Sequence, residues 1–380
     1  MLWKDRILSA VLAVAITAAA SAAVIRFSPE KPQFSPGQLE EGLTYEATGV
    51  ASDEIVVRVG DNGAPAELLT YQIGYSCSYL DYMLQTYTGA GLDLNGTLPS
   101  GENTKDYVMN ESLELLKQQL VLENMAEQYD VTLTEADEAQ LAATREQYIE
   151  QLGEEGYLTE IYKLGLSEAG YDRVNRANLL YSALYDAYCT PGTGLYADED
   201  VLHAYAAGAG YITADHILLM TVDSATREPL DEATVAEKKS LAEDILKQLR
   251  RSEDPIALFK ELADRYSEDT GRATNPDGYT FTTGTMVEEF DSAARALGEN
   301  EISDIVESEY GYHIILRKPL DVQTAIEAVR EEYFDVLFLA EVDGAELERS
   351  PALDSFDVEA VYATLQAAQG AASEAEEGQG

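Results

Sequence analysis

Residues 308–318 read SEYGYHIILRK and set His313 between a Gly-Tyr pair and the apolar run Ile314, Ile315 and Leu316. A short apolar run that follows a glycine turn has the pattern of a strand covered on both faces. The histidine stands out because the chain of 380 residues holds only 3. His216 occupies a similar setting in ADHILLM, whereas His203 lies in DEDVLHAYAAG, which reads as an acidic helix. One histidine in a strand is ordinarily a satisfied core residue. Two of them at opposite ends of one small unit raise an alternative, a site built where two strands meet.

The residues between these histidines predict an α+β unit over 209–319. The strand HILLM precedes an acidic-basic helix, DEATVAEKKSLAEDILKQLRR. A second helix, PIALFKELADRYS, starts with Pro255 at a favourable first position. A loop rich in Gly, Pro and Asp, EDTGRATNPDGYTF, leads to a helix around MVEEFDSAARAL and to the strands DIVES and YHIILRK.

The flanks have a different texture. Residues 51–208 predict a helical domain, in which Met109, Leu113, Leu116 and Leu120 follow the rhythm of one helix face. Thr134 and Asp137 in TEAD form a capping-box variant. Tyr71, Tyr75, Tyr79, Tyr82 and Tyr87 recur at near-helical spacing. They read either as core residues with hydroxyls reaching water or as an amphipathic groove for non-native chains. Residues 320–366 return to helix, with Ile326, Val329, Phe334, Leu337 and Phe338 forming a face for the helical domain. Residues 27–50, with three prolines, read as a linker, and 367–380 as a disordered acidic tail.

Two basic residues, Lys4 and Arg6, precede an uncharged run from Ile7 to Ile25. Residues 1–26 therefore predict either a membrane anchor or a cleaved signal, and in both cases export of the remainder. In an exported chain Cys77 and Cys189 could pair, or serve as two buried small residues. The balance of 70 acidic against 25 basic residues, a net charge of -45, repels phosphate backbones and argues against a nucleic-acid partner. No phosphate loop, dinucleotide fingerprint, HExxH motif or calcium loop occurs, so no cofactor or metal is expected.

The run from ADHILLM through LADRYSEDTG to PDGYTFTTGTMVEEFDSAARALGENEISDIVESEYGYHIILRK resembles the parvulin (PpiC-type) family of peptidyl-prolyl cis/trans isomerases. The first-strand histidine, the YSED turn, the F-x-x-G-x-M-x-x-x-F segment, the GE-x-I-S turn and the terminal GYHII match in order. The helical domain, export segment and returning helix resemble the SurA and PrsA class of extracytoplasmic foldases. This resemblance implies a small mixed or antiparallel sheet with flanking helices, inserted in an all-α chaperone domain. It further implies that Met286 and Phe290, four apart on a helix, cup the proline, with Phe281 below. His216 and His313 would be paired on adjacent strands, and Asp269 would lie close to the substrate carbonyl. Tyr279 and Tyr310 would border the substrate.

Two positions depart from the family pattern. Gly278 stands where relatives carry a leucine that helps enclose the proline, and Tyr310 where they carry a small hydroxyl residue. The loop TVDSATREPLDEAT lacks the basic cluster that phosphate recognition needs. The expected partners are unfolded exported polypeptides with X-Pro bonds, plus the membrane through the N-terminal segment. The alternative is a non-catalytic holdase with a degenerate isomerase unit.

Overall fold

The structure, a computed structural model, describes residues 36–377. The anchor or signal expected at 1–26 lies outside them. Among the described residues no helix is long and apolar enough to cross a membrane.

The elements run α1 (Pro36–Thr48), β1 (Ile55–Val59), β2 (Asn62–Pro65), α2 (Ala66–Thr88), α3 (Thr104–Gln128), α4 (Glu135–Lys163), α5 (Glu168–Cys189) and α6 (Glu199–Gly208). There follow β3 (Ile212–Met220), α7 (Glu232–Leu249), α8 (Pro255–Tyr266), β4 (Tyr279–Phe281), α9 (Glu288–Ala296), β5 (Val306–Ser308) and β6 (Gly311–Lys318). The chain closes with α10 (Ile326–Gly344), β7 (Glu348–Arg349) and α11 (Val358–Glu377). It divides into two units, 1–196 with 335–380, and 197–334, so the second is continuous and interrupts the sequence of the first. The second unit is wider than the expected 209–319 because it takes in α6 and the first part of α10.

In the first unit, Leu113, Leu116 and Leu120 of α3 are buried with Val108. The α3 helix packs against α2 and α5. The capping box forms, Thr134 Oγ1 accepting from Asp137 N at 3.2 Å and Asp137 Oδ2 accepting from Thr134 N at 2.8 Å. The expected all-α character is corrected by a small antiparallel sheet of order β2-β1-β7. Val59 pairs with Asn62 across a two-residue turn, Gly60-Asp61, in which Gly60 takes φ +60°. That turn and the β-branched run IVVRV suit a hairpin, but β7, its other partner, supplies only two residues.

Two segments expected to lack structure are helical. Within the linker 27–50, α1 begins at Pro36, a position that tolerates proline. The break at Gly42, φ +70°, obscures its period. Within the tail 367–380, α11 continues to Glu377, consistent with its alanine and glutamate content.

The second unit is built on an antiparallel sheet of order β4-β3-β6-β5. Side chains alternate across it. On one face Ile217, Leu219, Tyr312, Ile314 and Leu316 pack against Ala242, Ile245 and Leu249 of α7 and Phe259 and Leu262 of α8. On the other face Ala214 and Ile315 pack with Phe281 of β4 and with Phe290 and Ala294 of α9. Both faces of β3 and β6 are therefore covered, which is why their sequences read as continuous apolar runs.

Candidate active site

The register between β3 and β6 brings the two strand histidines together. Leu218 pairs with His313 and Ile315 with His216, so the histidines are diagonal neighbours on one face. Their rings stack with centroids 5.2 Å apart, and His216 Nδ1 lies 3.0 Å from His313 Nδ1. His203, the remaining histidine, is exposed on α6.

Asp269 reaches this pair because the turn after α8 is fastened along β3. Glu268 N donates to Leu218 O at 2.8 Å, and Leu218 N and Met220 N donate to Ser267 Oγ (3.1 Å) and Glu268 Oε2 (2.7 Å). The next side chain, Asp269, then meets His216 Nε2 at 3.0 Å through Oδ2. The same Oδ2 accepts from the Tyr279 hydroxyl at 2.5 Å, and Oδ1 accepts from Gly271 N at 3.0 Å. Burial raises the Asp269 pKa, but the hydrogen bonds from His216 and Tyr279, with smaller help from the His216 charge and Gly271, hold it at about 2. Asp269 is thus both a cap for the following turn and a fixed carboxylate.

At the other end, His313 Nε2 lies 2.7 Å from Ser308 Oγ. Only 3% of His313 is exposed, and burial, aided by the His216 charge against a smaller opposing effect of Asp269, lowers its pKa to about 3. The polarity of the chain follows from its ends. An ionised carboxylate only accepts, so Nε2 of His216 carries the hydrogen. In the arrangement in which neither ring carries an extra proton, Nδ1 of His216 accepts from Nδ1–H of His313, whose Nε2 then accepts from the Ser308 hydroxyl. Each donor and acceptor is used, and one tautomer of each ring is selected.

The apolar wall stands beside this chain. Phe290 lies edge-on to His216 at 5.1 Å and to His313 at 5.7 Å, and 5.8 Å from Phe281. Met286 packs against the same cluster, half-buried. It is not on a helix with Phe290, as the spacing suggested. The α9 helix starts at Glu288, so Met286 approaches from the preceding turn and is less constrained. Tyr279 stands edge-on to His216 at 6.0 Å.

Tyr310 is held by a neighbouring arginine. It lies in the β5–β6 turn with its ring under the Arg227 guanidinium at 4.7 Å. The hydroxyl at His313 comes instead from Ser308, the last residue of β5, which sequence reasoning missed. The signal was the two-residue turn Glu309-Tyr310, which puts Ser308 opposite Gly311 on the strand beside His313. Gly278 is a backbone requirement. Its φ is +93°, and a Cβ there would come within 2.6 Å of Ala214 O. A side chain does not fit, so this is a turn position and not a vacated wall.

A supporting pair also escaped the sequence. Buried Asp215 accepts from His216 N at 2.7 Å and from Arg272 Nη1 at 2.6 Å. Arg272 also reaches Asp264 at 2.8 Å, so it ties the segment bearing Asp269 to β3 and α8.

Residues 216–318 match the rotamase family described as the PPIC-type PPIASE domain. Foldase protein PrsA of Oceanobacillus iheyensis is 40% identical over 136 residues, which cover 35% of this chain and 38% of that protein. Foldase protein PrsA of Halalkalibacterium halodurans is 39% identical over 104 residues, 27% of this chain and 29% of its own. The matched region thus spans about two fifths or less of these curated relatives. A crystal structure of PrsA from Bacillus subtilis aligns over 84% of this chain and 93% of its own at 18% identity and a TM-score of 0.25.

Proposed function

From the premise that residues 216–318 are a PPIC-type PPIase domain, we propose that the chain is a peptidyl-prolyl cis/trans isomerase. It would act as a foldase on X-Pro bonds of polypeptides outside the cytoplasm, without a covalent intermediate. The observation that carries this reading is the unbroken hydrogen-bond chain Ser308–His313–His216–Asp269–Tyr279 beside the Phe290 and Met286 wall.

Rotation about a peptide bond is opposed by resonance, with a barrier of roughly 18–20 kcal/mol. X-Pro bonds interconvert over about tens to hundreds of seconds unaided. An enzyme needs to bind the twisted amide better than the planar one, and no bond need break. A proline ring seated against Phe290 and Met286 brings its preceding carbonyl toward Asp269. Planar resonance places negative charge on that oxygen, which a nearby carboxylate disfavours; the twisted amide carries less. The roles of the other residues follow. Tyr279 and His216 keep Asp269 ionised and oriented, and His313 and Ser308 fix the His216 ring. The site is prepared before the substrate arrives, as electrostatic catalysis requires.

The alternative of a non-catalytic holdase rested on Gly278 and Tyr310. Neither observation favours it: Gly278 answers a backbone need and Ser308 supplies the hydroxyl. The test is an X-Pro tetrapeptide isomerisation assay on the full chain. Asp269→Ala should lower kcat/KM on the order of 100-fold, and Phe290→Ala should raise KM. Rates unaltered in Asp269→Ala and His216→Ala would remove this reading.

A further inference from the structure

Helix α2 has two faces of unlike character. Leu69, Ile73 and Cys77 are buried on one of them. Tyr75, Tyr79 and Tyr82 share the other, at spacings that bring side chains together. Tyr75 and Tyr79 stack with centroids 6.3 Å apart and planes 9° apart. Tyr79, Tyr82 and Tyr87 are 39%, 65% and 75% exposed. A run of exposed aromatic rings on one helix face marks a contact surface.

The stripe leads into a cavity of about 60 Å³, lined by Gln72, Tyr75, Leu115, Leu122, Val174 and Phe338 among others. Gln72 is 7% exposed, and its Oε1 is buried without a hydrogen-bond partner. A buried carboxamide oxygen in that state calls for a donor. The cavity therefore mixes apolar walls with the polar side chains of Gln118, Gln119, Asn178 and Tyr181, and the stripe extends it along the helix.

Charge narrows the occupant. No lysine or arginine occurs in α2. Tyr107 lies close enough to Tyr79, Glu111 and Glu102 that, after burial, they help push its hydroxyl up to about 12. The rings thus sit in a negative field, in a chain of net charge -45. Tyrosine faces attract cations, and the surrounding carboxylates strengthen that attraction while repelling anionic lipid.

We propose that this face of α2 docks an extended cationic stretch of polypeptide. Lysine or arginine side chains lie over Tyr79 and Tyr82, with their neighbours against the mouth of the cavity beside Tyr75. The proposal rests on the foldase reading only in taking a polypeptide as the occupant, so the probe contains no proline.

The full chain is titrated calorimetrically with an unstructured Gly/Ser peptide carrying lysines, and with the same peptide carrying glutamates. The lysine peptide should bind about tenfold more tightly, and a Tyr79→Ser/Tyr82→Ser variant should lose about tenfold. Both tyrosines are exposed, so the variant should keep the wild-type circular dichroism and the wild-type rate on a short proline peptide. Equal affinity for the two peptides, or full affinity in the double variant, overturns the proposal whether or not the chain isomerises proline bonds. Preferential binding of phosphatidylglycerol vesicles overturns it as well.

Discussion

The hydroxyl of Ser308 is a small group with a defined task, donation to the buried Nε2 of His313. Ser308→Ala leaves that nitrogen without a donor and should cost about 1–3 kcal/mol of stability, read by urea denaturation. His313 also sets a pH dependence. An unfolded chain takes up a proton on this residue near 6.5, whereas the folded one resists it down to about 3. The unfolded state therefore binds more protons in that window, and stability falls as pH falls through it. Between pH 6.5 and about 5 the loss should be on the order of 2 kcal/mol, and His313→Gln should remove that part of the slope. Asp269, whose folded pKa of about 2 lies below its ordinary 3.8, adds a second loss in the same direction at lower pH. The pairing of His216, His313 and Asp269 was legible because strand patterns and ordered motifs place them. Ser308 was not, because Tyr310 also offers a hydroxyl near His313 in the sequence and only the β5–β6 register puts Ser308 beside it and the Tyr310 ring at Arg227.

At the level of elements, β3 holds the site together through contacts on both its edges and at its turns. Gly278→Ala drives a Cβ toward Ala214 O in a left-handed backbone and should destabilise the second unit by about 1–3 kcal/mol, seen as a lower Tm. Arg272→Ala strands the buried Asp215 carboxylate and should cost about 3–5 kcal/mol. If Arg272 acts by holding the Asp269 segment, a lysine there recovers part of the loss in kcat/KM. Helices such as α3, α7 and α8 were readable from periodicity and caps, since local signals determine them. The strand β1 carried its own signal in IVVRV and Gly60-Asp61, yet its partner β7 has two residues and no pattern to read. The start of α9 was misplaced because Met286 and Phe290 have helical spacing while only Phe290 is in the helix.

Across the whole molecule, the interruption of one unit by the other makes a testable division. The first unit depends on residues after 335: Leu365 packs against the places where Gly74 and Gly165 have no side chain, and Val361 is fully buried. A chain ending at Phe334 should keep slow hydrogen exchange in β3 and β6 and lose it in α2 and α3. Loss in both units would mean that they do not fold separately. The division itself was half legible, since the change from helical to alternating texture marks its interior but not its limits at 197 and 334. There is a temporal side to this arrangement. Val57 pairs with Arg349, 292 positions later (349 − 57). At synthesis rates of about 5–20 residues per second, roughly 15–60 s separate the appearance of the two. The inner unit, 197–334, is synthesised within that interval, so every residue of the candidate site is made before the strand that closes the outer sheet.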